Sequence, residues 1–175
     1  MKIIRNIIIV FIILSTSFSC KKDKDSIKAE GEIEFYLLKS FETIENSAEI
    51  IEFTVITNTE ALISYWEIES YNPNTYTFKI SEEARNRFTD LEFSPDRLAF
   101  ALKANEKIIY TGYFVPCYSS ASCNWVVIDP TVIELNSKMS VRLGYPGLPD
   151  GMTIPDKRNN EPIIAILKRD NKLIE

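Results

Sequence analysis

Histidine is absent from this chain of 175 residues, which removes the commonest general base and a frequent zinc ligand. Glycine is scarce, with only five residues, and neither a dinucleotide-binding pattern nor a P-loop pattern is present. Basic residues number 20 against 25 acidic residues, so the net charge of −5 offers no positive surface for nucleic acid. We therefore expect no cofactor, no metal ion and no nucleic-acid partner, and we predict that the protein is not an enzyme.

The N-terminal segment has the pattern of a secretory signal peptide. Lys2 and Arg5 precede an unbroken apolar run over residues 7–14, and a short polar segment then leads to Cys20. This order of a positive start, an apolar run and small residues is typical of exported proteins. The run is shorter than the ~20 residues that a membrane-spanning helix needs. We therefore predict a signal peptide over residues 1–19.

The residues around the end of this segment carry a resemblance to a known class. Ser19-Cys20 followed by Lys21-Lys22-Asp23 resembles the processing site of bacterial lipoproteins of the Bacteroidota type. The resemblance covers residues 1–25 and implies that Cys20, the residue after the cut, receives a diacylglycerol with palmitate-like chains and becomes the first residue of the mature chain. It also implies a protein anchored in the lipid bilayer of the cell envelope, at the outer membrane. Whether the protein faces the periplasm or the exterior stays open, and an ordinary exported thiol is the alternative for Cys20.

The rest of the chain has the composition of a globular protein, with 45% hydrophobic and 26% charged residues. Residues 20–32 are charged and almost free of large apolar side chains, which predicts a flexible tether. Residues 33–175 then form a single globular domain, a length that suits one hydrophobic core.

Local patterns predict the elements of this domain. Ser81 and Asn160 each stand before a helical pattern as an N-cap, and Ser64 with Glu67 has the spacing of a capping box at a short helix over residues 65–70. Apolar and β-branched runs predict strands over residues 33–41, 49–57, 76–80, 98–102, 107–114 and 125–128, with weaker strands at 132–135 and 141–143. This order indicates an α+β fold with a mostly antiparallel sheet and two or three short helices.

A second resemblance concerns residues 76–114, YTFKISEEARNRFTDL…LAFALKANEKIIYTGYF. Their order of strand, helix and two-stranded hairpin is similar to the periplasmic head region of SecD-type export proteins. The resemblance implies a ferredoxin-like fold or a related sandwich. It carries no catalytic motif.

Cys117 and Cys123 flank a five-residue segment between two predicted strands. Export would place them in an oxidising compartment, where a disulfide is expected. Two thiols are the alternative, and redox or metal chemistry is a third one. The C-x5-C spacing differs from the C-x-x-C of thiol exchange, and two sulfurs without histidine would leave a zinc site half filled.

Aromatic residues supply the candidate binding site. Tyr113, Tyr118 and Trp125 gather around the 115–124 loop, and rings on loops often contact sugars or proteins. The long loop over residues 144–160 adds three further candidates, namely Tyr145, Lys157 and Arg158. Core packing is the alternative for the rings, and a solvated loop is the alternative for the charges.

The sequence thus favours a membrane-anchored, non-enzymatic binding module with an envelope protein or a glycan as its partner. One alternative is a histidine-free carboxylate hydrolase that acts on envelope or external glycans. The other is an accessory factor in envelope protein export or assembly, which the SecD-like pattern suggests.

Overall fold

The structure, a computed structural model, describes residues 30–91 and 98–174. The predicted signal peptide, Cys20 and most of the predicted tether lie outside the described residues. The described elements are, in chain order, β1 (Ile33–Ser40), β2 (Ile56–Thr57), β3 (Ile68–Asn72), β4 (Thr77–Ile80), α1 (Glu82–Thr89), β5 (Ala99–Ala104), β6 (Lys107–Phe114), β7 (Cys123–Ile128), α2 (Pro130–Asn136), β8 (Lys138–Tyr145) and α3 (Glu161–Arg169).

The strands form one sheet in the order β2-β1-β5-β6-β7-β8-β4-β3. Neighbouring strands are antiparallel except β6 and β7, which are parallel. The predicted α+β class, with a mostly antiparallel sheet and short helices, is confirmed. The strand, helix and hairpin predicted over residues 76–114 correspond to β4, α1, β5 and β6, with β4 beside β8 and β5 beside β1.

The sheet curls until its two ends meet over one core. β1 and β4 lie near opposite ends of the strand order, yet the ring centroids of Phe35 and Phe78 are 5.3 Å apart. The Phe35 N–H also donates to the carbonyl of Ile63, at 3.0 Å, in the segment that leads to β3. Phe100 on β5 continues the ring contacts, with its centroid 5.9 Å from that of Phe35. These contacts bury large apolar area, the main favourable contribution to folding.

The segment between β1 and β2 covers the outer face of the central strands. Phe41 places its ring 6.0 Å from that of Tyr113 on β6, and the Ala48 N–H donates to Asn124 Oδ1 at 2.8 Å. The strand predicted over residues 49–57 is wrong, because this segment forms a 3-10 turn at Glu52–Thr54 and only a two-residue strand, β2. Ile50 forms only an isolated bridge with Thr43, and the 3-10 turn that follows breaks the alternation that a continuous strand requires.

Side-chain caps explain α1 and α2, whereas Asn160 precedes α3 as predicted but its side chain makes no capping hydrogen bond. Ser81 Oγ accepts from the Ala84 N–H at 3.2 Å and begins α1, as predicted. Asp129 Oδ1 accepts from the Thr131 N–H at 3.0 Å and begins α2, so the strand predicted at residues 132–135 is wrong. Pro130 occupies the first turn of α2, where its fixed φ suits a helix. The cap and the proline therefore outweigh the β propensity of the residues that follow them.

The short helix predicted over residues 65–70 is only partly present. Tyr65–Glu67 forms one 3-10 turn, and the chain then continues as β3. The predicted capping box of Ser64 and Glu67 is present at this turn, and within it the Ser64 N–H donates to Glu67 Oε2 at 2.9 Å. The Glu67 carboxylate is also paired with Arg87 of α1. Burial alone would raise the pKa of Glu67, but the hydrogen bonds from Arg87 and Ser64 outweigh burial and lower it.

Candidate functional site

The three candidate rings around the 115–124 loop lie in different environments. Tyr118 is 74% exposed, whereas Tyr113 is 4% exposed and Trp125 is 9% exposed. The reason for the burial is that the segment between β1 and β2 covers the sheet face to which Tyr113 belongs. The structure therefore does not gather these rings into one exposed aromatic surface.

The two cysteines of the loop are not bonded to each other in the described part of the chain. Cys117 is exposed in a turn, and its Sγ accepts from Thr131 Oγ1 at 3.4 Å. Cys123 is buried on β7, where it pairs with Tyr145 of β8. The structure thus gives Cys117 a contact with the start of α2 in place of the expected disulfide.

Tyr145 lies at the end of β8 beside a shallow depression. Its hydroxyl donates to the Cys117 carbonyl at 2.8 Å, and this bond ties the 115–124 loop to β8. The depression has a volume of about 490 Å³ and is lined by the turn at residues 43–48 and by residues 122–124. It is wide open to solvent, and Glu45 is the one charged residue among the described residues that line it.

Arg158 is held by a set of contacts that we call the latch, formed with Asp156, Tyr76, Tyr71 and Asn159. Its guanidinium lies 3.5 Å from the ring centroid of Tyr76, and its Nη2 is 2.6 Å from Asp156 Oδ2. Its side chain is only 13% exposed. The hydrogen bonds to Arg158 lower the pKa of Asp156, and those same bonds raise the pKa of Arg158.

Two further latch contacts fix the loop to the sheet. Arg158 Nη1 donates to the Val141 carbonyl of β8 at 3.1 Å. The Tyr71 hydroxyl lies 2.8 Å from Asn159 Oδ1 and 3.0 Å from the Arg158 carbonyl oxygen. These contacts of Arg158 therefore lie within the domain. They also fix the position of Lys157, the residue directly before it.

Lys157, directly before the latch arginine, lines a cleft between β6, β7 and the 49–52 segment. Its Nζ lies 3.5 Å from Glu52 Oε2, and both side chains are about half exposed, at 43% and 54%. We define the cleft by six of its lining residues: Glu49, Glu52, Tyr110, Thr111, Trp125 and Lys157. Its volume is about 260 Å³. Two of the six predicted binding residues, Trp125 and Lys157, thus meet at one site.

The parallel pairing of β6 and β7 creates this cleft. The two strands are paired only at Tyr113 with Val127 and at Phe114 with Ile128. Two residues earlier, the strands are joined through side chains, because Trp125 Nε1 donates to Thr111 Oγ1 at 3.2 Å. The cleft lies at this end of the two strands, where the backbone pairing of β6 with β7 has ended.

Gly112 lies between the paired and the open part of β6. A Cβ atom there would lie 2.6 Å from the carbonyl oxygen of Val126 and 2.7 Å from the ring of Phe100. Only glycine accepts so close an approach from both sides. The residue therefore lets β7 reach β6 just above the cleft.

Tyr110 is unusual among the wall residues. Its hydroxyl is the one buried side-chain nitrogen or oxygen atom in residues 30–91 and 98–174 that has no hydrogen-bond partner. Burial raises the pKa of Tyr110 well above its ordinary value, and Tyr71, Arg158 and Asp156 act on it electrostatically. A buried hydroxyl without a partner is costly, so its presence needs an explanation.

Other features of the described residues do not form a competing site. A third depression, of about 590 Å³, is open and lies beside β2 and Arg87, which is already paired with Glu67. No group of three or more cysteine or acidic side chains in the described ranges could hold a metal ion. None of the described helices is long and apolar enough to cross a membrane.

The acidic residues of the cleft could not be selected from the sequence. Glu49 and Glu52 fall in a segment whose pattern predicts a strand, and nothing distinguishes them among 25 acidic residues. Tyr110 belongs to a clear strand, but its missing hydrogen bond depends on the surrounding fold. Comparison of the chain with protein-family models, with curated proteins and with solved structures finds no match.

Proposed function

We propose that this chain is a lipid-anchored protein of the cell envelope that binds a ligand in the cleft without chemical turnover. The signal pattern and the processing site at Cys20 support the anchoring. The cleft supports the binding role, because it combines one indole ring with two carboxylates and one ammonium group. Ligand sites are typically apolar concavities with a few placed polar groups.

The orientation of Trp125 is the single observation that carries the binding role. Its Nε1 donates to Thr111 Oγ1, which fixes the ring against β6 before any ligand arrives. A ring that is already fixed loses little conformational entropy on binding. The volume of about 260 Å³ lies just below the range of about 300–1,000 Å³ for ligand pockets. The cleft therefore suits one sugar ring or one side chain of an envelope protein.

The anchoring is tested by replacing Cys20 with serine. We expect the wild-type protein in the membrane fraction and Cys20→Ser in the soluble fraction, because serine accepts no thioether-linked lipid and a lipid chain is what holds a polar domain at a bilayer. Cys117→Ser is the matched control and should stay with the membrane. Persistent membrane association of Cys20→Ser would contradict the lipid attachment at that residue.

The binding is tested by tryptophan fluorescence of the lipid-anchored protein in detergent micelles. The chain has two tryptophans, so Trp66→Phe leaves Trp125 as the only reporter. We expect a saturable change of its emission with an oligosaccharide fraction or a peptide fraction of the envelope. Trp125→Phe, which keeps the 71% exposed Trp66, should show no saturable change. Absence of a change in the Trp125 reporter with both fractions would contradict a binding role of the cleft.

A specific observation keeps the carboxylate hydrolase as the second candidate. Glu49 and Glu52 both line the cleft, and glycan hydrolysis requires two carboxyl groups at one site. The same titration distinguishes the two functions when the ligand is recovered and analysed by mass spectrometry. An unchanged ligand supports binding, whereas a hydrolysed ligand, with loss of hydrolysis in Glu49→Gln, supports the enzyme.

A further inference from the structure

The charges of the cleft are not balanced. Glu49 and Glu52 bring two carboxylates, and Lys157 brings one ammonium group. Lys157 is paired with Glu52 at 3.5 Å, whereas Glu49 makes no ion pair within the described residues. The residues that line the cleft therefore carry one unbalanced negative charge, and Trp125 is among them.

The contact of Lys157 is weak for an ion pair. Its length of 3.5 Å and the half-exposed state of both partners place it among pairs worth only about 0.2–1 kcal/mol. The backbone position of Lys157 is nevertheless fixed, because the latch holds the neighbouring Arg158 against the sheet. Lys157 thus occupies the cleft without being firmly bound there.

The remaining wall chemistry is suited to a positive group on an apolar stem. The indole of Trp125 is the aromatic ring that attracts cations most strongly, and Ile50 and Val126 supply apolar surface next to it. Carboxylates complete the site by accepting hydrogen bonds from ammonium or guanidinium groups. A neutral sugar would leave the excess carboxylate without a charged partner.

We propose that the cleft binds an organic cation, an ammonium or guanidinium group on an apolar stem, and that Lys157 is its internal competitor for Glu52. This inference rests on the proposed function, because it names the ligand class of the same cleft. The cation is either the side chain of a lysine or arginine in a partner protein or a free alkylamine. On binding, it pairs with both Glu49 and Glu52, and in doing so it displaces the Lys157 ammonium from Glu52.

The test uses the Trp66→Phe protein and three small probes that differ in charge or in source. The probes are N-acetyl-lysine methylamide, its uncharged analogue N-acetyl-norleucine methylamide, and pentylamine. We expect saturable changes of Trp125 emission with both amines, and affinity at least threefold weaker for the norleucine probe. Tighter binding of the lysine probe than of pentylamine assigns the cation to a partner protein, and the reverse assigns it to a free amine.

Charge variants test the competition. Glu49→Gln should weaken amine binding about two- to fivefold, and Lys157→Met should tighten it by a similar factor. Glu134→Gln and Lys168→Met, at exposed positions outside the cleft, are the matched controls and should leave the affinity unchanged. Salt should weaken the binding of both amines, because half-exposed charges are screened.

The outcomes separate this inference from the proposed function. Equal affinity for the lysine and norleucine probes, or weaker amine binding by Lys157→Met, overturns the cation assignment. If the amines give no signal while an envelope oligosaccharide does, the cation assignment fails and the binding role survives. If neither amines nor envelope fractions change Trp125 emission, both fail together.

Discussion

Lys157 and Arg158 are adjacent cations on the same loop, and the structure uses them in opposite ways. Arg158 stacks on Tyr76 at 3.5 Å, pairs with Asp156 and donates to a backbone carbonyl of β8. Lys157 has one ion pair, of 3.5 Å, and is 43% exposed. A cation with several partners holds a structure together, whereas one with a single weak partner is available for exchange. The latch is therefore structural, and the cleft is where a ligand can act.

The same contrast separates two buried tyrosines. The hydroxyl of Tyr71 has two acceptors within the latch, whereas the buried hydroxyl of Tyr110 has no hydrogen-bond partner in the described part of the chain. Both rings are buried, at 0% and 4% exposure. Their difference therefore lies in hydrogen bonding and not in burial, which makes them a matched pair for experiment.

Arg158→Met gives the largest expected effect on stability. We expect the free energy of unfolding to fall by about 2 kcal/mol, because methionine loses the stacking on Tyr76 and the charged hydrogen bonds of the latch. Urea denaturation measures this change. The control is Arg142→Met, since Arg142 lies farther from its ring, 5.6 Å from the centroid of Tyr145, and should cost about 0.5 kcal/mol or less. Equal losses of the free energy of unfolding in the two variants would contradict a structural role of the latch.

Tyr71→Phe and Tyr110→Phe give the next effect, and only Tyr71→Phe should destabilise the fold. Tyr71→Phe should lower the free energy of unfolding by about 1 kcal/mol, because the latch loses a hydrogen bond. Tyr110→Phe should leave it unchanged or raise it by up to about 1 kcal/mol, because a buried hydroxyl without a partner is removed. Both values come from urea denaturation. A loss in Tyr110→Phe as large as in Tyr71→Phe would show that its hydroxyl is hydrogen-bonded in solution.

The pH dependence of the latch should be smaller. Hydrogen bonds from Arg158 lower the pKa of Asp156, so this contact stabilises the fold at pH values above the ordinary pKa of about 3.9. The contribution is lost as the pH falls through the lowered pKa, since protonation neutralises the carboxylate. Asp156→Asn should therefore cost up to about 1 kcal/mol at pH 7 and flatten the acid side of the stability profile, because Asp156 is 40% exposed. An acid profile identical to that of the wild type would contradict this assignment.

The elements with strong local signals could be predicted from the sequence. The bounds of β6 agree with the predicted strand over 107–114, and α1 begins after its Ser81 cap. α3 likewise follows Asn160, with Pro162 in its first turn. In each case, the signal lies within the element or next to it, so no knowledge of the tertiary structure is needed.

The cleft could be predicted only in part, because its walls come from distant parts of the chain. Trp125 and Lys157 were identifiable as binding candidates by residue type and loop context. Their proximity, however, depends on the parallel pairing of β6 with β7 and on where the latch fixes the long loop. Glu52 begins a 3-10 turn and Glu49 precedes it, in a segment whose sequence resembles a strand. Long-range contacts of this kind leave no periodic signal in one sequence.

Lys157→Met gives the smallest expected effect on stability and the sharpest test of the contrast. Because its ion pair with Glu52 is long and half exposed, we expect the free energy of unfolding to change by no more than about 0.5 kcal/mol. Urea denaturation beside Arg158→Met, under identical conditions, measures the difference between the two adjacent cations. A loss near that of Arg158→Met would mean that Lys157 belongs to the structural frame, and it would then be too firmly held to exchange with a ligand. A near-zero change would show that Lys157 adds little to the stability of the fold and can exchange its partner for a ligand.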